Sequence, residues 1–291
     1  MDINFGCPQK IARRGRYGAY LSDEPQLQQQ LVGTLHCHLD VPVTVKIRVL
    51  EAGRSATVDY ARMLQGAGAS VIGVHGRTRE QRGKAQGEAS WSEIAAVKQA
   101  VSVPVLANGG VFSPTDVEAS LRATGCDGVM VGEALLDNPA LFEGREVGDQ
   151  QTALAREYIA LQTDYPTALA SVKQHLFTLL YAHVQVHIDL RERMHKARTL
   201  EDMASVVEEC DARTVECASR SVFCCAPGDA FTSWYRRHTW EAQRHAQKLA
   251  NAAPTQSHVE GCADVTADAV ASLTLSSASP SQTGARPEES E

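Results

Sequence analysis

The chain has 291 residues, 43% of them hydrophobic, and a formal charge of −7 at neutral pH. That length holds one large α/β domain and a smaller one, and that hydrophobic fraction excludes a chain that is disordered throughout. No charged segment leads into an apolar run at the start and no apolar stretch reaches membrane-span length, so the sequence reads as a soluble intracellular protein without a membrane partner.

In chain order, strand signals fall at Asp2–Phe5, Val43–Val49, Ser70–Val74, Val103–Ala107 and Gly128–Val131. They are rich in Val and Ile and nearly unbroken by polar residues, as expected of strands buried on both faces. Helix patterns lie between them. Ser22 or Asp23 is placed to cap one with Pro25 in its first turn, and Thr57–Gln65 is a second. Ser92 is placed to cap a third, Glu93–Ala100, and Ser113-Pro114 opens a fourth, with Gly66-Ala67-Gly68 and Gly125 where C-caps belong. The βαβα order predicts a parallel sheet.

Two parallel architectures compete. A doubly wound dinucleotide fold would show Gly-x-Gly-x-x-Gly after a strand, and none is present. Polar and glycine residues instead follow each strand in turn: Asn4 and Cys7, Lys46 and Arg48, His75-Gly76-Arg77, Asn108-Gly109-Gly110, and Gly132-Glu133. Functional groups at successive strand ends are the habit of a TIM-type (β/α)8 barrel. Residues 1–149 are therefore expected to form an incomplete barrel of about five β/α units, the remaining three or so preceding Met1 in a longer chain.

Beyond Asp149 the pattern turns helical, with Leu154, Tyr158 and Leu161 on one face. A long helix is expected from Ala168 to about Arg193 and another from Thr199 to Cys217, so residues 150–217 read as a helical bundle. Residues 218–250, with Trp234, Tyr235 and Trp240, are an uncertain helical extension, and residues 251–291 read as a disordered acidic tail. The last 41 residues carry six acids and one base, which is −5 of the −7. The sign of the total thus says nothing against a nucleic-acid partner. The eight cysteines lack the paired spacing of a zinc site, and no metal is expected; the crowding of Cys210, Cys217, Cys224 and Cys225 is the one weak exception.

Several residues invite chemistry. The Gly6-Cys7-Pro8 corner holds a thiol at a strand end. An ordinary thiol, with a pKa of about 8.5, is protonated near neutrality and able to act as an acid. Asn108, Gly109 and Gly110, with Gly132 and Glu133, follow the last two strands, where barrels commonly bind phosphate. Lys46 adds a cation whose burial calls for an anion, and the His75 ring is placed to bond a phosphate or a cofactor edge. Two loops are basic: one holds Lys10, Arg13, Arg14 and Arg16, the other Arg77, Arg79, Arg82 and Lys84 against Glu80. Two such loops on one rim suggest a polyanionic substrate too large to enter the barrel.

Asn4-x-Gly6-Cys7-Pro8, Lys46-Ile47-Arg48, Val74-His75-Gly76-Arg77-Thr78, Ala107-Asn108-Gly109 and Asn138-Pro139-Ala140-Leu141-Phe142 together closely resemble the tRNA-dihydrouridine synthases. The likeness is greatest to the eukaryotic-type subfamily acting on adjacent D-loop uridines sixteen and seventeen, and it extends loosely into Val172–Phe177, which includes Lys173. The resemblance implies FMN at the barrel mouth, reduced by NADPH or NADH, and a tRNA uridine converted to 5,6-dihydrouridine in the cytoplasm or nucleus. It further implies Cys7 as the proton donor, and Lys46, His75, Asn108, Gly109, Gly110, Gly132 and Glu133 as FMN-binding residues. Asn4, Arg13, Arg14, Arg48, Arg77, Arg79 and Lys173 would then face tRNA. Two alternatives stand beside it: an FMN oxidoreductase working on a small metabolite, and a shortened chain that at most binds RNA.

Overall fold

The computed structural model describes residues 1–82, 86–145 and 150–219, with side chains as far as Thr214. The readings placed on Lys84, on residues 220–250 and on the acidic tail lie outside the described residues.

Five strands form one parallel sheet in the order β1 (Asp2–Asn4), β2 (Thr44–Arg48), β3 (Val71–His75), β4 (Val105–Asn108) and β5 (Gly128–Met130). Each matches an expected run to within two residues. Spatial order equals chain order, so every crossover runs the same way and the helices fall on one face of the sheet. Helices α2 (Pro25–His38), α3 (Arg54–Gly66), α4 (Trp91–Ala100) and α5 (Pro114–Thr124) pack side by side there, each against the next. A doubly wound sheet would reverse direction and cover both faces; this is an arc of a barrel. Among the described residues the outer edges of β1 and β5 have no strand partner.

The core lies between sheet and helices. Val45 and Ile47 of β2, Ile72 and Val74 of β3 and Val105 and Ala107 of β4 meet Val32, Leu64, Ile94 and Val97 of the helices. Ile47, Leu64 and Ile72 are fully buried, and truncating any of them to Ala would cost about 2–5 kcal/mol. The other face differs from the expectation of burial on both sides. Along β2, Thr44, Lys46 and Arg48 are only half-buried and alternate with buried Val43, Val45, Ile47 and Val49. The apolar runs are continuous in sequence, yet only one side of β2 is covered.

Some boundaries fall elsewhere than the sequence indicates. A short helix, α1 (Lys10–Gly15), replaces the basic loop after Cys7 and stops where Arg16 turns left-handed at φ 52°. Glu24, without a side-chain cap, precedes Pro25; Ser22 bonds Ala19 O and Asp23 pairs with Arg79. Ser90, not Ser92, caps α4, its Oγ accepting from Glu93 N at 3.3 Å. Ser113-Pro114 opens α5 as expected, Ser113 and Asp116 forming a reciprocal cap, and Gly125 closes it at φ 63°.

After α6 (Glu133–Asp137) a buried junction leads into the helical part. Asn138 Nδ2 donates to Arg145 O at 2.6 Å while its Oδ1 accepts from Ala140 N. The helical part comprises α7 (Gln151–Leu161), α8 (Leu169–Leu179), α9 (Tyr181–Val186), α10 (Ile188–Lys196) and α11 (Leu200–Ser219). The single helix expected over 168–193 is thus three, broken at Leu180 and at His187, whose ψ of 84° leaves the helical region. Those breaks let Leu176, Leu180, Val184, Leu190 and Met194 all reach one second core, against Met203, Val206 and Val207 of α11. Arg156 of α7 ties to Glu208 and Asp211 of α11 at 2.6 Å each. No helix among the described residues is long and apolar enough to cross a membrane.

Candidate functional site

Strand register assembles the site. Asn4 lies beside Lys46, and Lys46 beside Gly73; two residues on, Arg48 lies beside His75, His75 beside Asn108, and Asn108 beside Met130. Residues two apart on a strand share a face, so these two rows point to the uncovered side of the sheet. Gly73 keeps the path open: a Cβ there would already touch Lys46 Cγ at 3.4 Å and Met130 Cε at 3.5 Å.

The rows open into a cavity of about 420 Å³ at the C-terminal ends of the strands. Lys46, Arg48, His75, Arg77, Asn108, Gly109, Gly110, Gly132 and Glu133 all line it, joined by Pro8, Gln9, Gln81, Arg82, Gln86 and Phe112. The structure therefore brings Lys46, His75, Asn108, Gly109, Gly110, Gly132 and Glu133, all expected from the resemblance to hold FMN, around one cavity. Gln81, Gln86 and Phe112 carry no such signal in the sequence; the first two reach the cavity from the long segment between β3 and α4, and Phe112 from the loop after β4.

Electrostatically the cavity is strongly cationic, with little counter-charge. Among the described residues four lining cations, Lys46, Arg48, Arg77 and Arg82, face a single lining carboxylate, Glu133. Burial, then the Arg48 charge, pushes the Lys46 ammonium down to about 8, opposed by Asp2. Burial pushes His75 down to about 2, helped by Arg48, Lys46 and Arg77, so its imidazole is neutral in the physiological range. Arg77 is buried, its Nε on Gly87 O at 3.0 Å and its Nη1 3.4 Å from His75 Nε2. Cations drawn partly out of water with little counter-charge are costly, and an anion in the cavity would relieve that cost.

The glycine loop is shaped for close approach. Gly109 and Gly110 both have positive φ, 98° and 77°. At Gly109 a Cβ would stand 2.7 Å from His75 Cδ2. Trp91 Nε1 donates to Gly109 O at 3.0 Å, and Asn108 Nδ2 to Met130 O at 2.7 Å, which fixes the loop between β4 and β5.

Cys7 is half-buried beside the cavity, which its neighbours Pro8 and Gln9 line. It lies close to Arg48. Asn4, which does not line the cavity, shapes the corner: its Oδ1 accepts from Gly6 N at 2.9 Å. Arg48 joins this corner to the loop after β3, donating to Gly6 O at 2.9 Å, Thr78 O at 2.7 Å and Gln81 O at 3.4 Å.

The basic rim is less uniform than the sequence implies. Arg77 faces the cavity, whereas Arg79 pairs with Asp23 at 2.7 Å and lies 5.4 Å over the Tyr20 ring. Arg82 donates to Pro8 O, and Arg16 pairs with Glu24. Arg13 and Arg14 are exposed in the last turn of α1. Lys173 lies away in the helical part, donating to His195 O and Ala197 O at the end of α10. Among the described residues no cluster of His, Cys, Asp and Glu could hold a metal.

The sequence model of the family described as dihydrouridine synthase matches residues 1–223. The chain belongs to the dihydrouridine synthase family. Three relatives place it further. A rat protein named tRNA-dihydrouridine(16/17) synthase NAD(P)(+)-like is 44% identical over 235 residues, covering 81% of this chain and 53% of the relative. The tRNA-dihydrouridine(16/17) synthase of Schizosaccharomyces pombe is 33% identical, over 76% of this chain and 59% of its own length. The human tRNA-dihydrouridine(20a/20b) synthase-like protein is 35% identical over 62% and 56%. This dihydrouridine synthase chain thus spans about half the length of the curated relatives it matches. The family match runs through the β/α arc and on across α7–α11, so the helical part belongs to the same family pattern.

Proposed function

We propose that this chain reduces uridine to 5,6-dihydrouridine in the D-loop of tRNA, at the positions its relatives' names give as sixteen and seventeen, with Cys7 as proton donor. The observation that carries the reading is the convergence of Lys46, Arg77 and a neutral His75 on one cavity beside the Cys7 corner. The residues present fit the phosphate end of FMN: cations with little counter-charge, and a glycine loop whose backbone no Cβ could crowd. Lys46, Arg77, His75, Asn108–Gly110 and Gly132–Glu133 would hold FMN there. Bound in that place, and reduced by NADPH or NADH, it supplies a hydride to C6 of the uracil ring. Cys7 then gives the Sγ proton to C5, completing the addition across the double bond. His75, unable to take up a proton at working pH, hydrogen-bonds without competing as an acid.

The uracil must leave its stack to reach this corner, at a cost of a few kcal/mol. We read the exposed Lys10, Arg13 and Arg14 of α1 as backbone contacts that help offset it. Residues 1–149 would act as the catalytic arc and 150–217 as an RNA-binding domain, working wherever in the cell tRNA is modified. The exposed basic helix argues against a small free metabolite. The unpaired edges of β1 and β5 favour a second reading, in which the chain binds tRNA without reducing it. Incubating the purified chain with FMN, NADPH and unmodified tRNA, followed by nucleoside mass spectrometry, decides between them. Dihydrouridine at the D-loop supports the first; bound but unaltered tRNA supports the second.

A further inference from the structure

A turn outside the cavity grips the Cys7 corner from behind. Residues Gly18–Asp23 form a 3-10 turn, and its first three residues all bear on Cys7 or Pro8. Ala19 N donates to Cys7 O at 3.0 Å, and Tyr20 Oη donates to Pro8 O at 3.1 Å. Gly18 has φ +64°, and a Cβ there would stand 2.7 Å from Cys7 O and 2.9 Å from Cys7 Cβ. Both distances are shorter than real side chains show, and one partner is rigid backbone. Arg48 holds Gly6 O, and Arg82 also donates to Pro8 O.

Three consecutive carbonyls, of Gly6, Cys7 and Pro8, therefore each accept a bond from a distant donor. A peptide unit is planar, so fixing the Gly6 and Cys7 carbonyls fixes the planes on both sides of the Cys7 Cα. With both planes held, χ1 is the only soft torsion left to the thiol, and it has three staggered wells. We propose that the Gly18–Tyr20 turn is the positioning element for Cys7, and that position 18 must be glycine because any side chain would displace the thiol. This rests on the reading of Cys7 as proton donor, but its test does not.

The test compares iodoacetamide labelling of Cys7 with that of exposed Cys37 in the same native molecule, by peptide mass spectrometry. Gly18→Ala is expected to raise the Cys7-to-Cys37 rate ratio about threefold or more, because loosening the corner exposes a half-buried thiol. Tyr20→Phe, which keeps the ring and loses one bond, is expected to raise it less. Gly53→Ala is the control: φ is +92° there, with nothing within 4 Å, so it carries backbone strain but no contact with Cys7. Its ratio is expected to stay at the wild-type value. Where dihydrouridine formation is measurable, Gly18→Ala should lower kcat on the order of 10- to 100-fold with KM for tRNA unchanged, as for a misplaced catalytic group. Wild-type ratios in Gly18→Ala and Tyr20→Phe would overturn the proposal, as would an equal rise in Gly53→Ala. Should Gly18→Ala fail to fold, the Tyr20→Phe ratio alone decides. A changed ratio in a chain that forms no dihydrouridine would keep the positioning role and sink the function.

Discussion

Lys46→Met should act with opposite signs on the free protein and on ligand binding. Its ammonium loses a proton near pH 8 instead of 10.5, chiefly because the strand position is buried and secondarily because Arg48 repels it. At 1.36 kcal/mol per pH unit, holding the charge there costs about 3 kcal/mol relative to water, less what residual solvent screens. The unfolded chain binds the proton more tightly. Stability therefore rises as pH climbs from about 8 to 10.5, and the full cost is present below 8. Met keeps the apolar stem over Gly73 without the charge, so at pH 7 the ligand-free variant should gain about 1–3 kcal/mol in urea unfolding. That gain should fade toward pH 10. FMN affinity should move the other way, since a charge-assisted bond is worth about 1.5–3 kcal/mol, or roughly 10- to 100-fold in Kd. Fluorescence titration with FMN across pH 6–9 should show wild-type affinity weakening above about pH 8 and no such break in the variant. A Lys46→Met protein that is less stable without ligand, or that binds FMN as wild type does, would mean, respectively, that the Lys46 ammonium is not strained in the free protein or is not a contact to FMN.

Four further outcomes follow from the site and its rim. The His75 ring should show no titration by NMR between pH 5 and 8; because its folded pKa is depressed, its contribution to stability is lost progressively as pH falls below about 6.5. A resolved inflection in that window would mean that the ring is wetter than its burial implies. Gly109→Ala, at φ 98° and 2.7 Å from His75, should lower FMN affinity at least about tenfold, with α/β content by circular dichroism unchanged; unaltered affinity would remove the loop from the site. Charge reversal at Arg13 and Arg14 should weaken tRNA binding and lower the log–log salt slope by about 0.7–0.9 per lost phosphate contact. Arg79→Glu should instead lower thermal stability through its contact with Asp23, and an equal loss of salt slope there would make the paired arginine an RNA contact.

Much of the arc was legible because the five strands are Val- and Ile-rich runs with glycine or polar residues after each, and parallel register alone carries Lys46, His75 and Asn108 to one mouth. The partners of the rim were not legible. Arg77 and Arg79 are two residues apart, yet one meets His75 and the other finds Asp23, 56 positions earlier. Only the fold brings such distant groups together. Helix α1 escaped notice because six residues are too short to show a helical period. The breaks at Leu180 and His187 escaped too, since no glycine or proline punctuates residues 169–196; packing into the second core sets them. Gly18 was equally silent, because its meaning lies in the absence of a Cβ against Cys7.

The proposed role of Cys7 as the donor of the proton that completes uridine reduction is tested by a single-turnover time course of dihydrouridine formation in unmodified tRNA, by nucleoside mass spectrometry, with wild type and Cys7→Ala loaded to equal FMN occupancy. Loss of a general acid costs roughly 10²–10⁴-fold, so the Cys7→Ala rate should fall by at least that lower bound while FMN binding and NADPH oxidation stay near wild type. A Cys7→Ala chain that forms dihydrouridine at the wild-type rate would contradict the account.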